Sequence, residues 1–149
     1  MSAAIQIVEV AARDGLQSEP GAEKLTAEDK AEFIHLLAQS GLKRIEAGSF
    51  VHPKAVPAMA SSGEVAAAIA TWKQEYPEVI FSYLVPNLKG LDRAEAAGAE
   101  EIAIFLALSE QFSKANINQT VGEAFANIAP VIQTAKAKNM RVRGYLSNI

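Results

Sequence analysis

The chain has no cysteine. That excludes disulfide frameworks, thiolate metal sites and cysteine nucleophiles, and it fits a reducing compartment, so a cytoplasmic location is expected. No apolar run approaches the roughly 20 residues that a membrane-spanning helix needs. Strand-like sequence begins by Ile5, so no secretory or transit segment is expected. Neither G-x-G-x-x-G nor a Walker pattern occurs, and this weakens an open-sheet nucleotide-binding domain. Charge of one sign is also scarce. With 14 Lys+Arg against 17 Asp+Glu, the net charge of −3 offers no electrostatic footprint for nucleic acid or an anionic membrane. The two histidines, His35 in a helical stripe and His52 in a loop, show no spacing that would pair them as metal ligands.

What is present is the make-up of one globular domain: 149 residues, 50% apolar and 21% charged. Five β-type runs stand out at 5–10, 44–47, 80–85, 101–106 and 141–146. Between them lie segments with helical periodicity. The first opens at Thr26, with Asp29 three residues on as in a cap, and stops at Gly41. Others cover about 56–75, 88–97 and 121–138, and Pro130 is expected to kink or divide the last. The junctions SGLKRIEA and AGAEEIAI share a small-Gly-x-x-x-Ile pattern that feeds a buried strand. Strands alternating with helices at this spacing predict an α/β fold of parallel βα units. A complete eight-stranded TIM barrel takes around 250 residues. The expectation is therefore one partial domain over 1–149, about half of such a barrel, ending at strand five.

Ligands of parallel α/β folds gather where the strands end. Arg13, Asp14 and Gln17 follow the first run, Glu46 and Ser49 the second, and Lys114 and Asn116 the fourth. On the fifth, Arg143, Tyr145 and Ser147 alternate and so share a face. Asp14 is a hard oxygen donor suited to a divalent cation. Arg13 suits an oxyanion, with Glu46 to hold its guanidinium. The competing reading is a structural Arg–Asp ion pair in a turn.

The segments IVEVAARDGLQSE, GLKRIEAGSFVHPKAVPAM, VPNLKGLDRAEAAGAEEIAIF, SEQFSKANIN and VRGYLS occur in this order along the whole chain. Together they resemble the N-terminal part of the hydroxymethylglutaryl-CoA lyase family, in a metal-dependent barrel superfamily that also holds isopropylmalate and homocitrate synthases. RDGLQ, where the synthases usually read RDGEQ, favours the lyase. The resemblance implies Mg²⁺- or Mn²⁺-assisted cleavage of 3-hydroxy-3-methylglutaryl-CoA to acetyl-CoA and acetoacetate, a step of leucine degradation and ketone-body formation. It also implies roles for residues. Asp14 corresponds to a metal-ligating aspartate, Arg13 to the arginine that stabilises the acetyl-CoA enolate, and Glu46 to the glutamate supporting that arginine. Gln17, Ser49, Asn116, Arg143, Tyr145 and Ser147 match pocket positions, with Asn116 and Lys114 toward the CoA side.

The family pattern also has a later His-x-His pair, an asparagine and a glycine-rich cysteine loop, and this sequence contains none of them. The chain is thus expected to be a shortened member or the product of an interrupted reading frame. Such a chain is expected to have negligible lyase activity alone and to self-associate through open sheet edges or the uncovered inner face. The alternatives are a non-catalytic half-barrel module and a related acyl-CoA synthase or aldolase of the same superfamily.

Overall fold

A computed structural model describes residues 5–147. Four strands, β1 (Arg44–Ser49), β2 (Ile80–Leu84), β3 (Glu101–Ala107) and β4 (Arg141–Ser147), form one sheet in the order β1-β2-β3-β4. Every pairing is parallel. The helices are α1 (Leu16–Ser18, a single turn), α2 (Ala27–Gln39), α3 (Ser62–Trp72), α4 (Leu88–Ala96), α5 (Glu110–Ile117) and α6 (Val121–Ala137). The expected succession of parallel βα units is what the chain adopts.

Local chemistry sets the boundaries. Thr26 and Asp29 close a reciprocal capping box at the start of α2, and Thr120 and Glu123 do the same for α6. Gly41 and Gly98 end their helices at φ 92° and 74°, a region that costs glycine nothing. The helix-facing side of the sheet buries Ile45, Phe81, Ile102 and Ile104 against Ile34, Leu91 and Val131. At about 1.5–3 kcal/mol for each large apolar side chain buried, this one layer holds the helices to the sheet.

Three expectations are corrected. The 5–10 run is not a strand: Glu9 alone bridges to Ile45, its N–H donating to the Arg44 carbonyl at 2.9 Å while its carbonyl accepts from Glu46 at 2.8 Å. Because β1 begins at Arg44, residues before Glu9 have no strand beside them. Ile5 and Ile7 are accordingly exposed. The sheet therefore has four strands among the described residues, not five. The segment foreseen at 56–75 breaks into 3₁₀ turns (Pro57–Met59 and Lys73–Glu75) flanking α3. Pro57 starts the first of these, where its missing N–H does no harm. Pro130 does not divide α6, because both it and Ala126, whose carbonyl it leaves free, face solvent. One helix escaped notice altogether. Helix α5 occupies a stretch to which the sequence pattern assigned no element, capped by Ser109 and ended by Asn118 at φ 54°.

Within the charged stretch 28–32 of α2, Lys30 is buried. Its Nζ donates to the Ala58 carbonyl at 2.7 Å and to Ser61 Oγ at 3.1 Å, tying α2 to the loop after β1. Burial lowers its pKa, and no carboxylate offsets that cost among the described residues.

β1 carries an irregularity between Glu46 and Gly48, after which Gly48 pairs with Tyr83 and Ser49 with Leu84. In a regular strand, residues 46 and 49 would point to opposite faces. The extra residue returns Ser49 to the face of Glu46, and Gly48 meets α3. A Cβ on Gly48 would lie 2.7 Å from Ser62 Oγ and 3.2 Å from Ser62 Cβ. That hydroxyl is committed, accepting from the Ser49 N–H and donating to the Met59 carbonyl. Gly48→Ala should therefore cost about 1–3 kcal/mol. Urea unfolding followed by circular dichroism measures this, and an unchanged midpoint would show that α3 shifts freely.

Candidate active site

After its single bridge at Glu9, the chain turns sharply in a π-helical turn over Ala11–Gly15. The N–H groups of Arg13, Asp14 and Gly15 converge on the Val10 carbonyl at 3.0, 2.7 and 3.3 Å. Glu9 fastens the turn by accepting the Ala11 N–H at 2.7 Å. This turn aims Arg13 across the end of β1. The guanidinium is nearly enclosed, whereas the neighbouring Asp14 side chain is 59% exposed.

Glu46 is the centre of the arrangement and has no solvent exposure. One carboxylate oxygen accepts from Arg13 Nε. The other accepts from Arg143 Nη2 and, at 2.8 Å, from the Tyr145 hydroxyl. Arg13 Nη1 in turn donates to Asp14 at 2.7 Å. Arg143 lies over the Tyr145 ring at 4.6 Å, and Arg13 stands 5.8 Å from the same ring. A buried carboxylate is strongly disfavoured unless its lone pairs are engaged, and here three donors engage them.

The same contacts set the protonation states. Burial works against the charge on Arg13, but Glu46 and Asp14 outweigh it and hold the proton more tightly than usual. Arg143 follows the same pattern, with burial opposed by Tyr145 and Glu46. Burial raises the Tyr145 phenol above its ordinary range, Arg143 pulls it down, and Glu46 pushes it up again. At neutral pH Tyr145 is thus a hydrogen-bond donor. The site presents two permanent cations and a phenol, all organised on one carboxylate.

The foreseen residues divide into two groups. Arg13, Asp14, Glu46, Arg143 and Tyr145 come together. Ser49 is buried at the end of β1, where its hydroxyl donates to the Leu84 carbonyl at 3.3 Å. Ser147 ends β4, and its carbonyl accepts the Leu108 N–H at 2.9 Å. Gln17 is exposed on α1 and lines an open groove with Glu19, Glu23 and Val56, separate from the cluster. Lys114 and Asn116 are exposed on α5, also outside the cluster. Sequence reasoning missed Ser82 and Glu101. Ser82 Oγ lies 3.4 Å from Arg143 Nη2, and Glu101 is a buried carboxylate on the same face. The signal available was a charged residue opening a nearly all-apolar strand, EIAIFLA.

As a metal centre the residues do not fit. Among the described residues no three His, Cys, Asp or Glu side chains group as a metal site. Asp14 is paired to a guanidinium, and one carboxylate beside cations is a poor divalent site.

Comparison with known proteins sets this geometry beside others. A family model described as HMGL-like matches residues 4–148. The rat 3-hydroxy-3-methylglutaryl-CoA lyase named as cytoplasmic is 48% identical over 143 residues, covering 96% of this chain and 40% of that protein. The human hydroxymethylglutaryl-CoA lyase named as mitochondrial is 43% identical, covering 96% of this chain and 42% of its own length. Among solved structures, hydroxymethylglutaryl-CoA lyase from Pseudomonas aeruginosa superposes with a TM-score of 0.88 at 42% identity, over 95% of this chain and 45% of that one. A lyase from Acinetobacter baumannii, solved with coenzyme A and 3-methylmalate, gives a TM-score of 0.84 at 34% identity, over 98% and 47%. The chain spans less than half the length of each relative. Among the described residues, no helix is long and apolar enough to cross a membrane.

Proposed function

The chain belongs to the HMGL-like family, and on that premise we propose that it carries the arginine-bearing part of a lyase site that splits 3-hydroxy-3-methylglutaryl-CoA into acetyl-CoA and acetoacetate. The observation that carries this reading is the fully buried Glu46 within β1 holding Arg13 from the turn after Val10 and Arg143 from β4. In this cleavage the tertiary hydroxyl loses its proton and becomes the ketone of acetoacetate. The bond between C2 and C3 breaks, and its electron pair passes into the thioester as an enolate. Protonation of that enolate at C2 gives acetyl-CoA. Charge therefore develops on the thioester oxygen. A fixed, always-protonated guanidinium in a nearly dry site stabilises such charge without having to reorganise.

Arg13 takes the enolate oxygen, and Glu46 sets its orientation through Nε. Arg143, Tyr145 and Ser147 flank it on β4, whereas Gln17, exposed on α1, and Ser49, fully buried, are pocket positions only by the family resemblance. Lys114 and Asn116, on α5, face the CoA moiety. The A. baumannii structure, which holds coenzyme A, supports an acyl-CoA ligand for this chain. For the Mg²⁺ or Mn²⁺ that the family resemblance implies, the chain offers one oxygen donor, Asp14. The other donors have to come from outside the described residues. Leucine degradation and a cytoplasmic setting belong to the same proposal, although the relatives carry both cytoplasmic and mitochondrial names.

A chimera tests the reading. This chain replaces the matching 45% of the P. aeruginosa lyase, and acetoacetate release from 3-hydroxy-3-methylglutaryl-CoA is assayed with Mg²⁺. The chimera should turn over, and the chain by itself should show negligible release. A folded chimera that binds the thioester but never cleaves it would sink the lyase reading and favour a non-catalytic module.

We further propose that the isolated chain self-associates. β4 is an edge strand with Leu146 about half exposed, and Ile5 and Ile7 are uncovered ahead of the Glu9 bridge. Light scattering on a sized column should give a mass above 15.9 kDa, and a stable monomer would refute this.

A further inference from the structure

Glu101 opens β3 and is 2% exposed, yet it takes no part in the contacts described around Glu46. Its carboxylate accepts two hydrogen bonds from Arg44 Nη1, at 2.8 and 3.1 Å. On its other side stand Arg143 Nε and the half-exposed Arg141 Nε, each 3.7 Å away. The Arg143 side is the informative one. Its Nη2 is committed to Glu46 and, more weakly, to Ser82, while its Nε is buried without any hydrogen-bond partner. At 3.7 Å the Glu101 oxygen is too far for a hydrogen bond but near enough for a strong ionic attraction at a buried site.

The charges then form an alternating chain across the sheet: Arg44, Glu101, Arg143, Glu46, Arg13, Asp14. With the half-exposed Arg141 flanking Glu101 as well, four arginines stand against three carboxylates. Without Glu101, Arg143 and Arg13 would both depend on Glu46 as their buried counter-charge, and Arg143 would be held only through Nη2 and the Tyr145 ring, with nothing to fix its Nε side.

We propose that Glu101 is a positioning residue of this site: its buried carboxylate fixes the plane of the Arg143 guanidinium so that Nη2 meets Glu46. As a statement about a reaction this rests on the lyase reading above; as a statement about geometry it stands apart from it. The test needs no turnover, so failure of either leaves the other intact.

The measurement is solvent exchange of the Arg143 Nε–H proton in ¹H–¹⁵N spectra of the whole chain, the signal being assigned by its loss in Arg143→Lys. Glu101→Gln keeps side-chain size and an acceptor for Arg44 but removes the charge. It should speed Arg143 exchange by tenfold or more while the circular dichroism spectrum is kept. Arg44→Met removes the hydrogen-bonded tie of Glu101 but leaves its carboxylate beside Arg141 and Arg143, and should leave Arg143 exchange within threefold of the parent. Exchange in Glu101→Gln within threefold of the parent would overturn the proposal, as would equal acceleration in both variants, since Glu101 would then serve only to hold the strands. Should Glu101→Gln not fold, Glu101→Asp withdraws the carboxylate by one methylene. Faster exchange there supports the proposal, and unchanged exchange refutes it.

Discussion

Arg13→Gln, placed in the catalytic chimera, should lower kcat by about 10³ and change KM by less than about threefold. Removing a single oxyanion donor from an acyl-transfer site typically costs 10²–10³ in rate, and here a full charge is lost with it. KM should hold because the contact strengthens only as the thioester oxygen gains charge. Arg13→Lys separates charge from geometry. Lysine keeps the positive charge but has no planar fork, so it cannot hold Glu46 through one nitrogen and serve substrate with another. Its rate should fall between those of the parent and the glutamine variant. Glutamine and lysine variants that both match the parent kcat would remove Arg13 from the chemistry and return the Arg13–Asp14 pair to a structural role.

The second large effect is on stability. Glu46→Ala should destabilise the chain by about 3–5 kcal/mol, because it leaves two largely buried guanidinium groups without their shared carboxylate. Against a total stability of about 5–15 kcal/mol for a typical domain, that approaches unfolding. Glu46→Gln should cost less, since it keeps the size and one acceptor oxygen. Adding Arg143→Met to Glu46→Ala should recover part of the loss, because a stranded cation is then replaced by an apolar side chain of similar length. Urea titrations of the three variants read these differences directly. A midpoint for Glu46→Ala close to that of the parent would mean that water reaches the two arginines freely.

How far these residues could be read in advance differs from one to the next. RDGLQ follows an apolar run and Glu46 lies within one, so Arg13, Asp14 and Glu46 could be singled out as site candidates, although the first run forms no strand and Glu46 sits inside β1. Arg143 and Tyr145 were assigned to one face by their spacing of two, and both do meet Glu46. Gln17, Lys114 and Asn116 were selected by the same logic, yet they fall on exposed helical turns away from the cluster. The reason lies in the connecting segments. A π-helical turn after Val10 and the unforeseen helix α5 decide where those side chains lie, and neither leaves a periodic signal. Glu101 was hidden for the opposite reason. It reads as the first residue of the 101–106 run, where a charge at a strand's opening is ordinarily solvated, and only its neighbours across the sheet show that it is buried.

Local rules acting on sequence alone determined the alternation of strands and helices, the caps at Thr26 and Thr120 and the presence of an arginine and an aspartate beyond Val10. Caps and periodicity depend on residues within a few positions of one another, so the sequence states them directly. Tertiary structure decided that the first run would bridge at Glu9 alone, that Ser49 would share a face with Glu46, and that one carboxylate would gather Arg13, Arg143 and Tyr145. Those outcomes depend on register between segments 33 to 99 residues apart in the chain. Register is set by the packing of whole helices against the sheet, and no short stretch of residues carries it.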